Sequence, residues 1–255
     1  MKLETAEVLE NGQVTADMWA LRLRAPQIAR EARPGQFLHV RVGDGLDPLL
    51  RRPISLHRIG EDTVDLLVRP VGKGSWQIAR KMPGETLDCM GPLGNGFSIH
   101  PSARHLLLIG GGCGIGPMVG LADLAVERGL SVVLLFGARS ADGVYPAALL
   151  SPEVEYSVAT DDGSLGHQGL VTDLLPTYLG WADALYACGP RPMFLSLLDI
   201  MRRANSNKTV QLSLEENMAC GVGACFGCVV ETRAGEMKSV CADGPVFEMR
   251  DLVWR

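Results

Sequence analysis

The chain has 255 residues, 47% hydrophobic and 21% charged, with a formal net charge of -5. Such values fit an ordinary globular protein with room for one large domain, or two plus a small module. They exclude a nucleic-acid footprint, because no Lys/Arg-rich block occurs beyond Arg51-Arg52 and Arg202-Arg203. The apolar runs at 106–109 and 132–136 are far too short to span a bilayer, so no membrane partner is expected. Residues 1–14 carry Lys2, Glu4, Glu7 and Glu10 and no apolar stretch, so no export signal is expected either.

From residue 1 to about 100 the pattern is short alternating runs, at 18–24, 36–42 and 63–69, separated by turn residues such as Pro34-Gly35 and Pro83-Gly84. Period-two alternation between turns predicts antiparallel strands closing into a small barrel. Two pieces of this region carry chemistry. Arg52-Pro53-Ile54-Ser55 closes one strand, where an Arg beside a Pro-fixed backbone can reach a diphosphate and the Ser can face a flat ring. Gly74-Ser75 opens a helical stretch after Arg69, where backbone N–H groups favour phosphate oxygens. Taken singly, the first is more often a plain strand end and the second a plain turn. Gly91-Pro-Leu-Gly94-Asn-Gly96-Phe97 is read as the end of the barrel.

The second region opens with an apolar strand from His105 running into Gly110-Gly111-Gly112-Cys113-Gly114 and then a helical pattern at 118–128. A strand, Gly-rich loop and helix bring a dinucleotide's phosphates against free N–H groups, although the spacing departs from strict G-x-G-x-x-G and also suits a tight turn. Strand-like runs recur at 131–136, 155–159, 184–187 and 209–214, with helical stretches at 169–179 and 192–204. This alternation predicts a parallel sheet with helices on both faces. Cys188-Gly189-Pro190 falls at a strand's carboxyl end, where open α/β sheets bind ligands, but Cys188 alone reads as a buried thiol. Asp161-Asp162-Gly163-Ser164 reads as a turn that could instead reach a ribose. Arg139-Ser140 followed by Asp142 leaves NAD against NADP open, with NAD favoured.

Four of the seven cysteines fall in the last part of the chain as Cys220, Cys225, Cys228 and Cys241, spaced C-x4-C-x2-C-x12-C. Three thiols on a Gly-rich loop with a fourth returning later is the plant-type spacing for a [2Fe–2S] cluster. Structural zinc more often uses two C-x2-C pairs, and disulfides suit small secreted scaffolds. Thiols kept for a metal point to a reducing compartment, hence the cytoplasm.

The barrel motifs in order resemble the ferredoxin–NADP reductase superfamily, and Cys188-Gly189-Pro190-Arg191-Pro192-Met193 is similar to its Cys-Gly-Pro-x-x-Met loop. Ser213-Leu-Glu-Glu-Asn-Met-Ala-Cys220 through Cys228, with Cys241-Ala-Asp-Gly-Pro, resembles the electron-transfer subunits of NAD-linked (class 1B) dihydroorotate dehydrogenases, and the likeness covers nearly the whole chain. The resemblance implies a multidomain α/β plus β fold: an FAD-binding antiparallel barrel (1–100), a Rossmann-like NAD-binding parallel-sheet domain (101–210) and a [2Fe–2S] module (211–255). It implies FAD contacts at Arg52, Pro53, Ile54, Ser55, Leu67, Val68, Arg69, Gly74 and Ser75. Nucleotide contacts are implied at Gly111, Gly112, Gly114, Cys188, Gly189 and Pro190, and cluster ligands at Cys220, Cys225, Cys228 and Cys241. The implied work is electron transfer from an FMN-containing catalytic subunit, in a heterotetramer of two of each, through the cluster and FAD to NAD⁺ in pyrimidine biosynthesis. No catalytic base is expected in this chain. Another flavin and iron–sulfur reductase subunit, of sulfhydrogenase or ferredoxin-transhydrogenase type, would use the same parts, and a zinc-binding non-catalytic module is the reading from a different class.

Overall fold

A computed structural model describes residues 1–43, 45 and 47–254; Asp44, Leu46 and Arg255, inside the expected first and third domains, lie outside the described residues. Among the described residues the first region forms β1 (Lys2–Thr15), β2 (Met18–Arg24), α1 (Pro26–Ala29), β3 (Phe37–Arg41), β4 (Arg52–Ile59), β5 (Thr63–Val68), α2 (Lys73–Ala79) and β6 (Thr86–Leu93). The six strands close into an antiparallel barrel in the order β1-β2-β5-β4-β3-β6. Alternation drives the closure: Leu21 and Leu23 of β2, Leu38 and Val40 of β3, and Val64 and Leu66 of β5 all point into one buried core. Each such side chain contributes about 1.5–3 kcal/mol on full burial.

The second region forms β7 (His105–Gly111), α3 (Ile115–Glu127), β8 (Ser131–Ala138), β9 (Val154–Thr160), β10 (His167–Gln168), α4 (Leu175–Leu179), β11 (Ala184–Cys188), α5 (Arg191–Arg203) and β12 (Thr209–Ser213). The expected helix at 169–179 is instead a 3-10 turn, Val171–Leu174, followed by the short α4. Pro176 is the reason, since a residue without an N–H is tolerated only in a helix's first turn. The last region adds β13 (Val229–Glu231), β14 (Met237–Ser239) and β15 (Val246–Glu248). β13 and β14 form a hairpin, whereas β15 joins the large sheet as an antiparallel edge, giving the order β10-β9-β8-β7-β11-β12-β15. The cysteine-bearing segment is therefore sewn into the second domain's sheet at one end. At its other end it meets the barrel exit, where Asn95 N–H donates to Gly244 O at 2.5 Å and Asn95 Nδ2 to Asp243 O at 2.9 Å. Among the described residues no helix is long and apolar enough to cross a membrane.

Barrel and sheet meet along β4 and α3, where a buried histidine forms part of the seam. His57 is 3% exposed, with Nδ1 3.2 Å from Gly116 O and Nε2 3.1 Å from the Tyr145 hydroxyl. Beside it Arg58 Nε donates to Asp123 Oδ2 at 2.7 Å. Burial, with the Arg58 charge adding to it, lowers the His57 pKa from 6.5 to about 4. The folded chain thus binds this proton less readily than the unfolded chain. Its contribution is complete above pH 6.5 and is lost as pH falls through about 4, by up to roughly 3 kcal/mol. Thermal unfolding followed against pH should show a steeper acid slope in the wild type than in His57→Gln, which cannot titrate. Equal slopes would contradict this role.

Candidate redox site

Between barrel and sheet lies a cleft of ≈ 1080 Å³, at the carboxyl ends of β7, β8 and β11, where α/β sheets bind ligands. One wall is Arg52, Pro53, Ile54 and Ser55 of β4 with Leu67 and Arg69. Gly74 and Ser75 of α2 close one end, and Gly111, Gly112, Gly189 and Pro190 form the opposite wall. Arg52 and Gly74, 22 residues apart in sequence, meet directly: a Cβ on Gly74 would stand 2.7 Å from Arg52 Nε. The guanidinium is steadied by the Leu50 carbonyl, 2.7 Å from Nη1. Ser75 is occupied with its own turn, its Oγ accepting the N–H groups of Val71 (2.9 Å) and Gly72 (3.1 Å) and donating to Gly72 O.

Three of the expected contact residues stand away from the cleft. Val68 is 1% exposed and points into the barrel core, as alternation with Leu67 and Arg69 requires. Cys188 is buried in the sheet core, and burial pushes its thiol pKa well up. Gly114 packs on the strand that carries Cys188; a Cβ there would lie 2.1 Å from the Cys188 carbonyl oxygen. Gly114 and Cys188 thus hold the carboxyl ends of β7 and β11 against each other. Arg69 spans the cleft, its Nη2 2.5 Å from Asp17 Oδ2 and its Nη1 over Gly112. Arg139, Ser140 and Asp142 line the far end, with Ser140 Oγ donating to Asp142 Oδ1 at 2.5 Å. Asp162 is closed into a turn by the N–H and Oγ of Ser164, which hold its carboxyl below the ordinary range, while Asp161 borders the cleft.

Sequence reasoning missed Glu215, Phe37 and His39. Glu215 lines the cleft near Arg69, Cys113 and Cys188, still open to it, and desolvation by the surrounding walls holds its carboxyl above the ordinary pKa against the pull of Arg69. Phe37, 3% exposed, both lines the cleft and packs in one apolar cluster with Cys228 and Cys241. The only sequence signal was the period of β3, which puts Phe37 and His39 on the face opposite Leu38 and Val40.

Three of the expected thiols lie on the loop behind Phe37, and Cys241 returns beside them after the β13–β14 hairpin. Gly223 N–H donates to Cys241 Sγ at 3.0 Å and Val222 N–H to Cys220 Sγ at 3.4 Å. The Val222 N–H is the main cause that lowers the Cys220 pKa to about 6, whereas burial pushes Cys241 up to about 12. The thiols are free, with Cys220 within reach of Cys225 and Cys228 within reach of Cys241, so they are disposed as two pairs. No set of three or more His, Cys, Asp or Glu among the described residues gathers as for a single ion. Two thiol pairs under backbone N–H groups are a donor set that fits a two-iron cluster, and the long apolar-walled cleft fits a flavin dinucleotide. The loop needs left-handed backbone at Gly221 (φ +73°) and Gly223 (φ +77°). At the tip Phe226 adopts φ 54° and is 66% exposed.

Barrel, nucleotide-type sheet and cysteine loop in this order define a ferredoxin reductase-like oxidoreductase that carries an iron–sulfur module. A solved structure of an NADH-dependent reduced ferredoxin-NADP oxidoreductase, described in connection with flavin-based electron bifurcation, superimposes with a TM-score of 0.86 at 28% identity, over 98% of this chain and 90% of that one. The ferredoxin reductase in carbazole 1,9a-dioxygenase, at 22% identity and TM-score 0.68 over 80% of this chain and 66% of that one, shares the fold. Residues 215–253 match the family described as the iron-sulfur cluster binding domain of dihydroorotate dehydrogenase B. The "Dihydroorotate dehydrogenase B (NAD(+)), electron transfer subunit" of Bacillus caldolyticus is 43% identical over 243 residues, 92% of each chain. The protein of the same description from Geobacillus sp. (strain WCH70) is 40% identical over 259 residues, 99% of each chain. The chain belongs to the family of electron transfer subunits of dihydroorotate dehydrogenase B, and is an oxidoreductase component.

Proposed function

We propose that this chain passes electrons from a catalytic partner that oxidises dihydroorotate to NAD⁺, using a [2Fe–2S] cluster and FAD held by its own residues. The observation that carries this reading is the position of Phe37, one side chain shared by the cleft and by the packing around Cys228 and Cys241. When bound, the cluster carries single electrons, FAD converts between one- and two-electron chemistry, and NAD⁺ takes up a hydride.

The residues divide this work by place. Cys220, Cys225, Cys228 and Cys241 would hold the two irons of the cluster between them. Arg52 takes the FAD diphosphate beside Gly74, Ser55 and Leu67 line the ring's wall, and Arg69 braces the barrel against Gly112. Gly111, Gly112, Gly189 and Pro190 leave an open wall for the nicotinamide nucleotide, with Asp142 at its far end favouring NAD over a phosphorylated ribose. Positioning and exclusion of water suffice, and no side chain here is needed as a catalytic base.

Exposed Cys225, Val222 and Phe226 at the loop tip face the partner, an FMN-containing catalytic subunit in an assembly of two of each. We place the complex in the cytoplasm, where thiols remain available to iron. The test is reconstitution. Mixed with the FMN-containing subunit and dihydroorotate, the chain should form NADH from NAD⁺ at a rate that neither component reaches alone. Failure of the mixture, with both components fully loaded, would overturn the assignment of the partner.

A further inference from the structure

β3 is the wall between the barrel and the cysteine loop, and its outward face carries a second residue beside Phe37. His39 is 1% exposed, yet neither Nδ1 nor Nε2 makes a hydrogen bond of normal geometry among the described residues. A buried polar group left in this state is destabilising, so an imidazole is a poor choice for this position unless something else completes it. The ring lies under the start of the cysteine loop: a Cβ on Gly221 would stand 2.5 Å from Nδ1 and 3.1 Å from Cγ. Gly221 follows the ligand Cys220 directly, so only a residue without a side chain lets the loop settle on the ring. The Arg51 and Cys220 backbones also approach the imidazole, and burial, then the Arg51 charge, lowers its pKa. Protonated or not, an imidazole carries at least one N–H donor.

We propose that His39 is a positioning residue for the iron–sulfur cluster: it seats the Cys220–Gly221 turn on the barrel and directs its N–H dipole at the cluster's surroundings, raising the reduction potential. The proposal rests on the reading that Cys220, Cys225, Cys228 and Cys241 hold such a cluster. Donors around a cluster favour its more negative, reduced form, and outer partners of metal ligands are known to tune both affinity and potential. An apolar leucine or phenylalanine in place of His39 would satisfy packing better, which is why the imidazole points to a role toward the cluster rather than to stability.

The test is a redox titration of the cluster in the purified full chain, followed by electron paramagnetic resonance, for wild type, His39→Gln and His39→Phe. In His39→Phe the ratio of reduced to oxidised cluster at a fixed potential should fall about tenfold, a midpoint lower by about 59 mV for a one-electron couple. His39→Gln, which keeps an N–H, should stay closer to wild type. An unchanged midpoint in His39→Phe, or equal shifts in both variants, would overturn the proposal. Should His39→Phe fail to retain iron, wild type decides: with isotope-labelled histidine, pulsed resonance should detect a histidine nitrogen coupled to the cluster that is missing in His39→Gln. Its absence from wild type would overturn the proposal too. A wild-type chain with no iron–sulfur signal at all would instead count against the cluster itself.

Discussion

Cys225→Ser should retain its flavin and lose dihydroorotate-driven NAD⁺ reduction in the complex. Cys225 is the exposed member of the four thiols, whereas Cys228 and Cys241 are 3% and 1% exposed within the packing around Phe37. The substitution removes one donor while leaving that packing in place. A serine hydroxyl does not ionise near neutral pH as a thiol can, so the Cys220–Cys225 pair loses half of its donor set. The resulting loss should exceed the roughly 10–100-fold that follows removal of a mere outer-shell partner. NADH oxidation with a dye that accepts electrons directly from the flavin should persist, because the cleft is built by β4, β5, α2 and the loops after β7 and β11 and not by Cys225. Transfer between the subunits at the wild-type rate would show that electrons bypass the cluster.

Arg52→Ala should strip FAD from an otherwise intact chain. Among the described residues the Arg52 guanidinium bonds only to the nearby carbonyls of Leu50 and Arg51, so little of the barrel depends on it. Its place over Gly74 instead joins the two barrel motifs at one end of the cleft. A charge-assisted hydrogen bond to the diphosphate contributes about 1.5–3 kcal/mol, which corresponds to roughly ten- to a hundredfold weaker binding. The flavin-to-protein ratio after gel filtration should therefore drop, with the iron content unchanged. Full flavin retention would place the diphosphate elsewhere.

The parts that could be read from the chain are those whose information is local. The four cysteines are defined by spacing, three of them on a single loop, and the structure gathers them as two pairs. Barrel and sheet follow from period-two runs and from strand–helix alternation, which are properties of neighbouring residues. What depends on distant partners was not legible. The burial of Val68 is implied by alternation, but a motif read as a continuous run hides it. The close packing of Gly114 on Cys188 and the insertion of β15 beside β12 need the tertiary fold. The failure of a longer helix at 169–179 was legible in Pro176 but outweighed by the apolar pattern. His39 and Phe37 are ordinary strand residues until the cysteine loop folds back over them. Glu215 likewise gains its setting only when Arg69 approaches from the barrel.

The most direct test of the relay is an anaerobic visible spectrum of the purified chain, together with its iron content, before and after one equivalent of NADH. The account predicts flavin bands over a broad iron–sulfur shoulder, with both bleaching on addition of NADH. Such a result would join NAD, flavin and cluster within this one chain. A flavin that bleaches over a cluster that stays oxidised would break the link through Phe37. A fully loaded flavoprotein whose cysteines hold zinc in place of iron would contradict the account at its centre.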